Sequence, residues 1–392
     1  MRIWNKFFSF AITLLILLLF TGFTYFDTCG EENEETDRFI NTIDYFKNSR
    51  YNRVEGLFIG FELESIPIEY PDFTFITRLG FGYKERRLGY GLKIQKMFGE
   101  DKKVSIFFNQ ETETNDYKII GNTENNISAL LAKKDFRDYF YLKRGGIEAE
   151  YYISEKLNLN LSCDIRKYKS LDKRTDWSLF GEGKFRENPL VEPGNEFYVT
   201  VSLNSRFQES FLMPFNEWRY NIILEKGSDD FNYFGAGINV KRYQMIFESH
   251  IFVANLYLHS RTNTTAEQHL IDLGGVSTLR GYGHKEFTGN RIFLFNLDYF
   301  FGRSILEKLP LNFIPFYEMF DLIFFFDAGK AAIAGRDDNI FEGFGGGTEN
   351  KIKSNIGIAF SLAQGFLRFN FARRLDRKRD NVTFSLRLMR TL

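Results

Sequence analysis

Two short segments combine the residue types from which a buried charge pair is built. Leu279-Arg280-Gly281-Tyr282 sets a guanidinium beside a glycine and an aromatic ring, a few residues after Gly274 and Gly275. Phe325-Phe326-Asp327-Ala328-Gly329 sets one carboxylate in an otherwise apolar run. Arg keeps its charge at any ordinary pH, so an Arg withdrawn from water needs a carboxylate beside it. Such a pair holds structure in place and turns over no substrate. Taken singly, each segment also reads as something plainer: a chance Arg-Gly in a loop, or an ordinary polar residue on a strand. Catalytic signatures are scarce. His250, His259, His269 and His284 show no metal-ligand spacing, and no Gly-x-Ser-x-Gly elbow occurs. The glycine-rich stretch at 343–347 lacks the Lys-Ser/Thr of a phosphate loop. Cys29 and Cys163 suggest neither a disulfide framework nor a metal cluster. The expectation is a non-enzymatic protein with no cofactor and no metal.

The elements that must position these residues are strands. From residue 51 onward apolar and polar side chains alternate strictly, the pattern of a strand with two unlike faces. Leu157, Leu159, Leu161, Cys163 and Ile165 share one face, opposite Asn158, Asn160, Ser162, Asp164 and Arg166. The same alternation recurs in about sixteen segments, from 52–66 through 175–187 and 316–331 to 381–390. Most are ten residues or longer, enough for a tilted strand to cross a bilayer core. Many connections are very short, as in antiparallel hairpins. One helical pattern stands out beyond the N-terminus, at 127–138 inside a long connection. Within 316–331, Asp321, Ile323, Phe325, Asp327 and Gly329 share a face, opposite Leu322, Phe324, Phe326 and Ala328.

Composition decides what the apolar faces meet. The chain has 392 residues with 46 Phe and 20 Tyr, residue types that strands favour. Its 51 Lys and Arg balance 51 Asp and Glu, which argues against a nucleic-acid partner. A soluble sandwich would have to hide every apolar face inside, whereas a membrane barrel turns them to lipid and keeps a polar lumen. A mean hydropathy of -0.29 fits the barrel, because half of each strand is polar. Inside lipid every backbone donor and acceptor must be paired, so the sheet has to close. Asp327 then points into the lumen. The connection at 263–289, which carries Arg280, is long enough to fold back inside. Asn296 and Asp298 face inward on the following strand, which makes Asp298 a secondary partner.

The N-terminus suggests export. A basic start is followed by an uncharged run from Phe7 to Phe26 and then an acidic stretch, the layout of a secretory signal. The expected organisation is a cleaved signal peptide at 1–28, a short periplasmic linker at 29–50, and an outer-membrane β-barrel at 51–392.

The two charged segments resemble a known pair of signatures. Leu279-Arg280-Gly281-Tyr282 is similar to the (Val/Ile/Leu)-Arg-Gly-(Phe/Tyr) motif of the BamA-type outer-membrane assembly-factor and bacterial surface antigen superfamily, which includes the two-partner-secretion transporters. Phe325 to Gly329 is similar to its (Phe/Gly)-x-Asp-x-Gly motif. Both stand in the order and at the strand positions expected for the sixth loop and thirteenth strand. Weaker echoes of such barrels lie at 51–57 and 186–189. The resemblance implies that Arg280 reaches Asp327 and pins the loop in the pore, with Tyr282 packed beside the pair. Gly281 would let the backbone turn at the loop tip. It also implies polypeptide clients and periplasmic assembly components as partners, besides outer-membrane lipid. Members usually carry periplasmic polypeptide-transport-associated domains, for which about twenty residues between signal and first strand are too few. The alternative expectation is a passive channel or structural barrel that keeps the Arg-Asp lock for stability alone.

Overall fold

A computed structural model of the chain describes residues 39–207, 216–247, 250–301, 320–335, 338–344, 351–362, 367–377 and 381–388. The expected signal peptide and the first part of the linker lie outside the described residues. Seventeen strand segments form one antiparallel sheet. Its first two segments, Phe39–Tyr45 and Arg50–Asn52, pair with the two halves of Gly56–Pro67 and together make one interrupted strand, β1. The interruption coincides with Phe46 and Asn48, whose φ values of 69° and 60° are incompatible with extended backbone.

The strands that follow are β2 (Gly56–Pro67), β3 (Phe73–Gly82), β4 (Arg87–Phe98), β5 (Lys102–Glu113), β6 (Phe140–Ser154), β7 (Leu157–Ser170) and β8 (Gly194–Ser205). They continue as β9 (Asn216–Asp229), β10 (Tyr233–Ile246), β11 (His250–Arg261), β12 (Arg291–Phe300) and β13 (Phe320–Ala332). The last three are β14 (Lys353–Leu362), β15 (Leu367–Arg374) and β16 (Thr383–Leu388). Each strand pairs with its sequence neighbour, so the whole is an up-and-down meander. No paired register joins β16 to β1 among the described residues. Long connections follow β5, β7, β11 and β13 at one end of the sheet, and tight turns such as 99–101 and 155–156 lie at the other.

Alternation sets the two faces. On β2, Leu57, Ile59 and Phe61 are 47%, 40% and 41% exposed, while Phe58 between them is buried. On β13, Phe324 is 43% exposed and its neighbours Ile323 and Phe325 are fully buried. An outward row of exposed large apolar side chains around a polar interior is the arrangement of a membrane-spanning β-barrel. No helix among the described residues is long and apolar enough to cross a membrane.

The strand count agrees with expectation through two compensating differences. Residues 175–187, expected as a strand, form a loop whose backbone is satisfied locally. Thr175, Asp176 and Ser178 accept from Trp177, Phe185 and Gly181 N–H, and Gly183 has φ of 77°. Conversely Phe39–Tyr45, expected in the linker, pairs along its length with β2. The helix α1 spans Asn122–Ala132 rather than 127–138, because Lys133 adopts a left-handed conformation that ends it.

Candidate functional site

Leu279 to Tyr282 belongs to the 262–290 connection, which folds inward and packs on the inner wall of β11, β12 and β13. Leu273, Leu279 and Tyr282 join Tyr257, Ile292 and Leu294 in one buried cluster. Gly274 and Gly275 start the inward turn with φ of 116° and 96°, values that glycine adopts without strain. A Cβ on Gly274 would also lie 2.3 Å from the Gly283 carbonyl. Two short strands, Ile271–Leu273 and Phe287–Gly289, pair to close the base of the loop.

Arg280 meets Asp327 in a bidentate pair, Nε to Oδ2 at 2.8 Å and Nη2 to Oδ1 at 2.5 Å. Its backbone N–H donates to the same carboxylate at 3.1 Å. Nη1 turns to Asp298 at 2.7 Å, and Arg368 donates to both Asp298 oxygens at 2.8 and 3.1 Å. Two guanidinium and two carboxylate groups thus neutralise one another. Asn296 and Asn355 complete Asp327, donating at 2.7 and 2.8 Å. The Arg280 guanidinium lies over the Phe325 ring, 3.9 Å from its centroid. Phe325 can lie flat against the wall because its register partner is Gly357, where a Cβ would come within 2.3 Å of the ring.

Each expected lock residue is therefore in this one place, with one adjustment. Gly281 has no left-handed backbone; it is small because a Cβ there would lie 2.8 Å from Asn355 Cβ. Tyr282 is buried beside the pair as expected, donates from its hydroxyl to the Ser354 carbonyl at 3.0 Å, and carries the Arg374 guanidinium on its ring. Gly329 supports the site from below, since a Cβ would press within 3.1 Å of Leu279. Sequence reasoning did not single out Asn355 and Arg368 as partners. Strand register could have found Asn355, because Asn296, Asp327 and Asn355 stand directly opposite one another on β12, β13 and β14.

The weaker sequence echoes converge on a second charged cluster at the loop end. Arg53, fully buried in the β1–β2 turn, pairs with Asp135 at 3.2 Å and Asp138 at 2.7 Å, and donates to Asn188 at 3.0 Å. Asn188 in turn donates to the Tyr139 and Leu171 carbonyls, both at 2.7 Å. Lys285 of the inward loop sits among Asp116, Asp138 and Asp272 at 2.8, 2.5 and 2.8 Å. Burial opposes its charge, but the three carboxylates prevail and hold the ammonium above its ordinary pKa. Four connections are stitched together here over the mouth of the barrel.

His259 is buried on the inner face of β11, with Nε2 3.0 Å from Glu225. Glu225 also accepts from Arg261 at 2.6 Å and from the Tyr198 hydroxyl at 2.5 Å. The histidine is one member of a satisfied wall network, and no cluster among the described residues has the makings of a metal site.

The fold has counterparts among solved structures. The chain is similar to BamA from Haemophilus ducreyi lacking POTRA domains 1-3, at 12% identity and a TM-score of 0.53, over 90% of this chain and 70% of that one. CdiB from Escherichia coli is similar at 10% identity and a TM-score of 0.45, over 91% of this chain and 62% of that one. CdiB from Acinetobacter baumannii gives 11% and 0.42, over 90% and 60%. No family model and no curated protein matches the sequence. The chain has a BamA-type β-barrel fold.

Proposed function

We propose that this protein is a non-enzymatic barrel of the outer membrane that inserts or translocates polypeptide, drawing on periplasmic assembly components. The observation that carries the reading is the lock. Arg280 and Asp327 fix a folded loop across the lumen, and the Arg53 and Lys285 clusters fasten the mouth above it. A barrel plugged in this way is poorly suited to free flow through its centre. Its working surface is then the seam between β1 and β16. The alternating pattern makes 52–66 and 381–390 the first and last segments; the edge on the first side is β1, beginning at Phe39. Phe39–Tyr45 is exposed along its whole length, and a strand edge with free donors and acceptors templates an extended client by strand addition.

A second reading is a passive channel or structural barrel. It is supported by a cavity of about 930 Å³ beside the lock, lined by Asn221, Asn239, Asn255, Lys241 and Arg261 among others. Reconstitution separates the two. Liposomes containing the protein should accelerate the folding of a second barrel. Conductance with no acceleration would favour the channel.

A further inference from the structure

The helix α1 occupies the place where the barrel wall has no ladder. Its first turn lies at the lumen: Glu124 is buried and pairs with Arg387 at 3.2 Å. Arg387 is on the inner face of β16, directly opposite Arg368, whose side chain reaches the lock. Its last turns lie on the outside of β1. Ala129 is fully buried and packs with Tyr51 and Phe185. Tyr51 stands opposite Leu57 in register and so faces outward, with the lipid-directed row of β2. A helix that touches the inner face of the last strand and the outer face of the first crosses the wall between them. Its diameter of about 10–12 Å fills the width of roughly two strands.

The hold on α1 comes from these contacts rather than from the helix itself. Gly121 at its N-cap provides no side-chain hydrogen bond, and Asn122, Thr123, Asn125 and Asn126 are weak helix formers. Asn125 donates to Asp135 at 3.0 Å, and Asp135 accepts from the Arg53 backbone N–H at 3.0 Å. The first turn is thus tied to β16 through Glu124 and to the β1–β2 turn through Asn125 and Asp135.

We infer that α1 is a displaceable wedge in the seam, and that an extended polypeptide strand pairing with the β1 edge competes with it. The inference rests on the proposed strand-templating function and specifies what guards its site. The partner is a strand of alternating apolar and polar residues, for which this chain's own β16 is a model.

The test uses the full chain in lipid nanodiscs and a fluorescent peptide with the sequence of residues 381–388, read by anisotropy. Glu124→Gln removes the charge at the β16 contact and should tighten peptide binding about threefold, the equivalent of one weakened ion pair. In a Cys29→Ser, Cys163→Ser background, Glu124→Cys and Arg387→Cys joined by a cleavable bis-maleimide should weaken binding at least tenfold. Cleaving the linker in the same sample should restore it. Equal affinity before and after cleavage would overturn the wedge, and this comparison holds even if Glu124→Gln folds poorly. Liposome folding assays keep the two ideas apart. Acceleration that is indifferent to the linker sinks the wedge alone, whereas linker-sensitive peptide binding without acceleration sinks the proposed function alone.

Discussion

The lumen lock and the seam are opposite solutions within one sheet. At the lock, every charge has a partner: Arg280, Arg368, Asp298 and Asp327 are mutually satisfied, and Asn296 and Asn355 close the remaining sites. At the seam, β1 is exposed along Phe39–Tyr45, no paired register to β16 is present among the described residues, and a marginal helix touches β16 through Glu124 and β1 through Ala129. Desolvated, fully paired charges resist motion, because separating them strands a charge in a poorly solvated place. An unpaired strand edge costs little to remodel, since its backbone groups exchange water for any incoming partner. The difference teaches where such a barrel would yield first: at the seam rather than at the plug.

Breaking the rigid side should have the largest effect. Arg280→Ala should lower barrel stability by about 3–5 kcal/mol, because Asp327 and Asp298 lose their shared cation. Asp327→Asn should cost somewhat less, since Arg280 keeps Asp298. The Arg280→Ala, Asp327→Asn double variant should cost clearly less than the sum of the two. Urea unfolding followed by gel mobility of heated and unheated samples reads all three, and strict additivity would show that the residues are not coupled. Arg53→Ala comes next, at about 3 kcal/mol, with protease sensitivity appearing in the 114–139 and 171–193 connections before the barrel unfolds.

How far the sequence carried is visible in these same residues. Strict alternation sufficed to put Asp327, Asp298 and Phe325 on the inner face, since a strand has only two faces. The Arg280 contact was reachable through motif resemblance, and the structure supplies its bidentate geometry. Arg368 and Asn355 escaped because period two tells which way a side chain points but not which strand position stands opposite. The 175–187 segment misled for a different reason: Ser, Thr and Asp side chains there satisfy the backbone locally, which outweighs a strand-like pattern. Phe39–Tyr45 was missed because it adjoins an acidic stretch, and its pairing with β2 is a tertiary fact. The role of Gly281 was misassigned because a sequence cannot separate a glycine needed for a left-handed turn from one needed for close approach.

Smaller perturbations sharpen the contrast. Gly357→Ala would push a methyl group into the Phe325 ring and disturb the platform under Arg280, at about 1–3 kcal/mol by the same unfolding assay. His284 supplies a pH dependence. Burial, reinforced by the Arg186 and Lys285 charges, lowers its pKa to about 4 from the ordinary 6.5. Because the folded value is depressed, the unfolded chain binds more protons between the two values. Stability is then full above about pH 6.5 and falls as the pH drops toward 4. Relative to His284→Gln, the wild type should lose about 1–3 kcal/mol across that window, given the partial exposure of the ring. A flat difference between the two proteins would contradict this. The smallest effect belongs to Lys353 and Asp376, an ion pair at 3.4 Å on the exposed rim. Lys353→Ala should change stability by less than about 1 kcal/mol.

The central claim is that a locked lumen leaves the seam to act on polypeptide. The most direct measurement is the folding rate of a second outer-membrane barrel in liposomes that contain this protein, compared with empty liposomes and with liposomes containing the linker-joined Glu124→Cys, Arg387→Cys form. The account predicts acceleration by the wild type, its loss in the joined form, and recovery when the linker is cleaved. Folding at the empty-liposome rate in all three, with conductance as the sole activity, would contradict it.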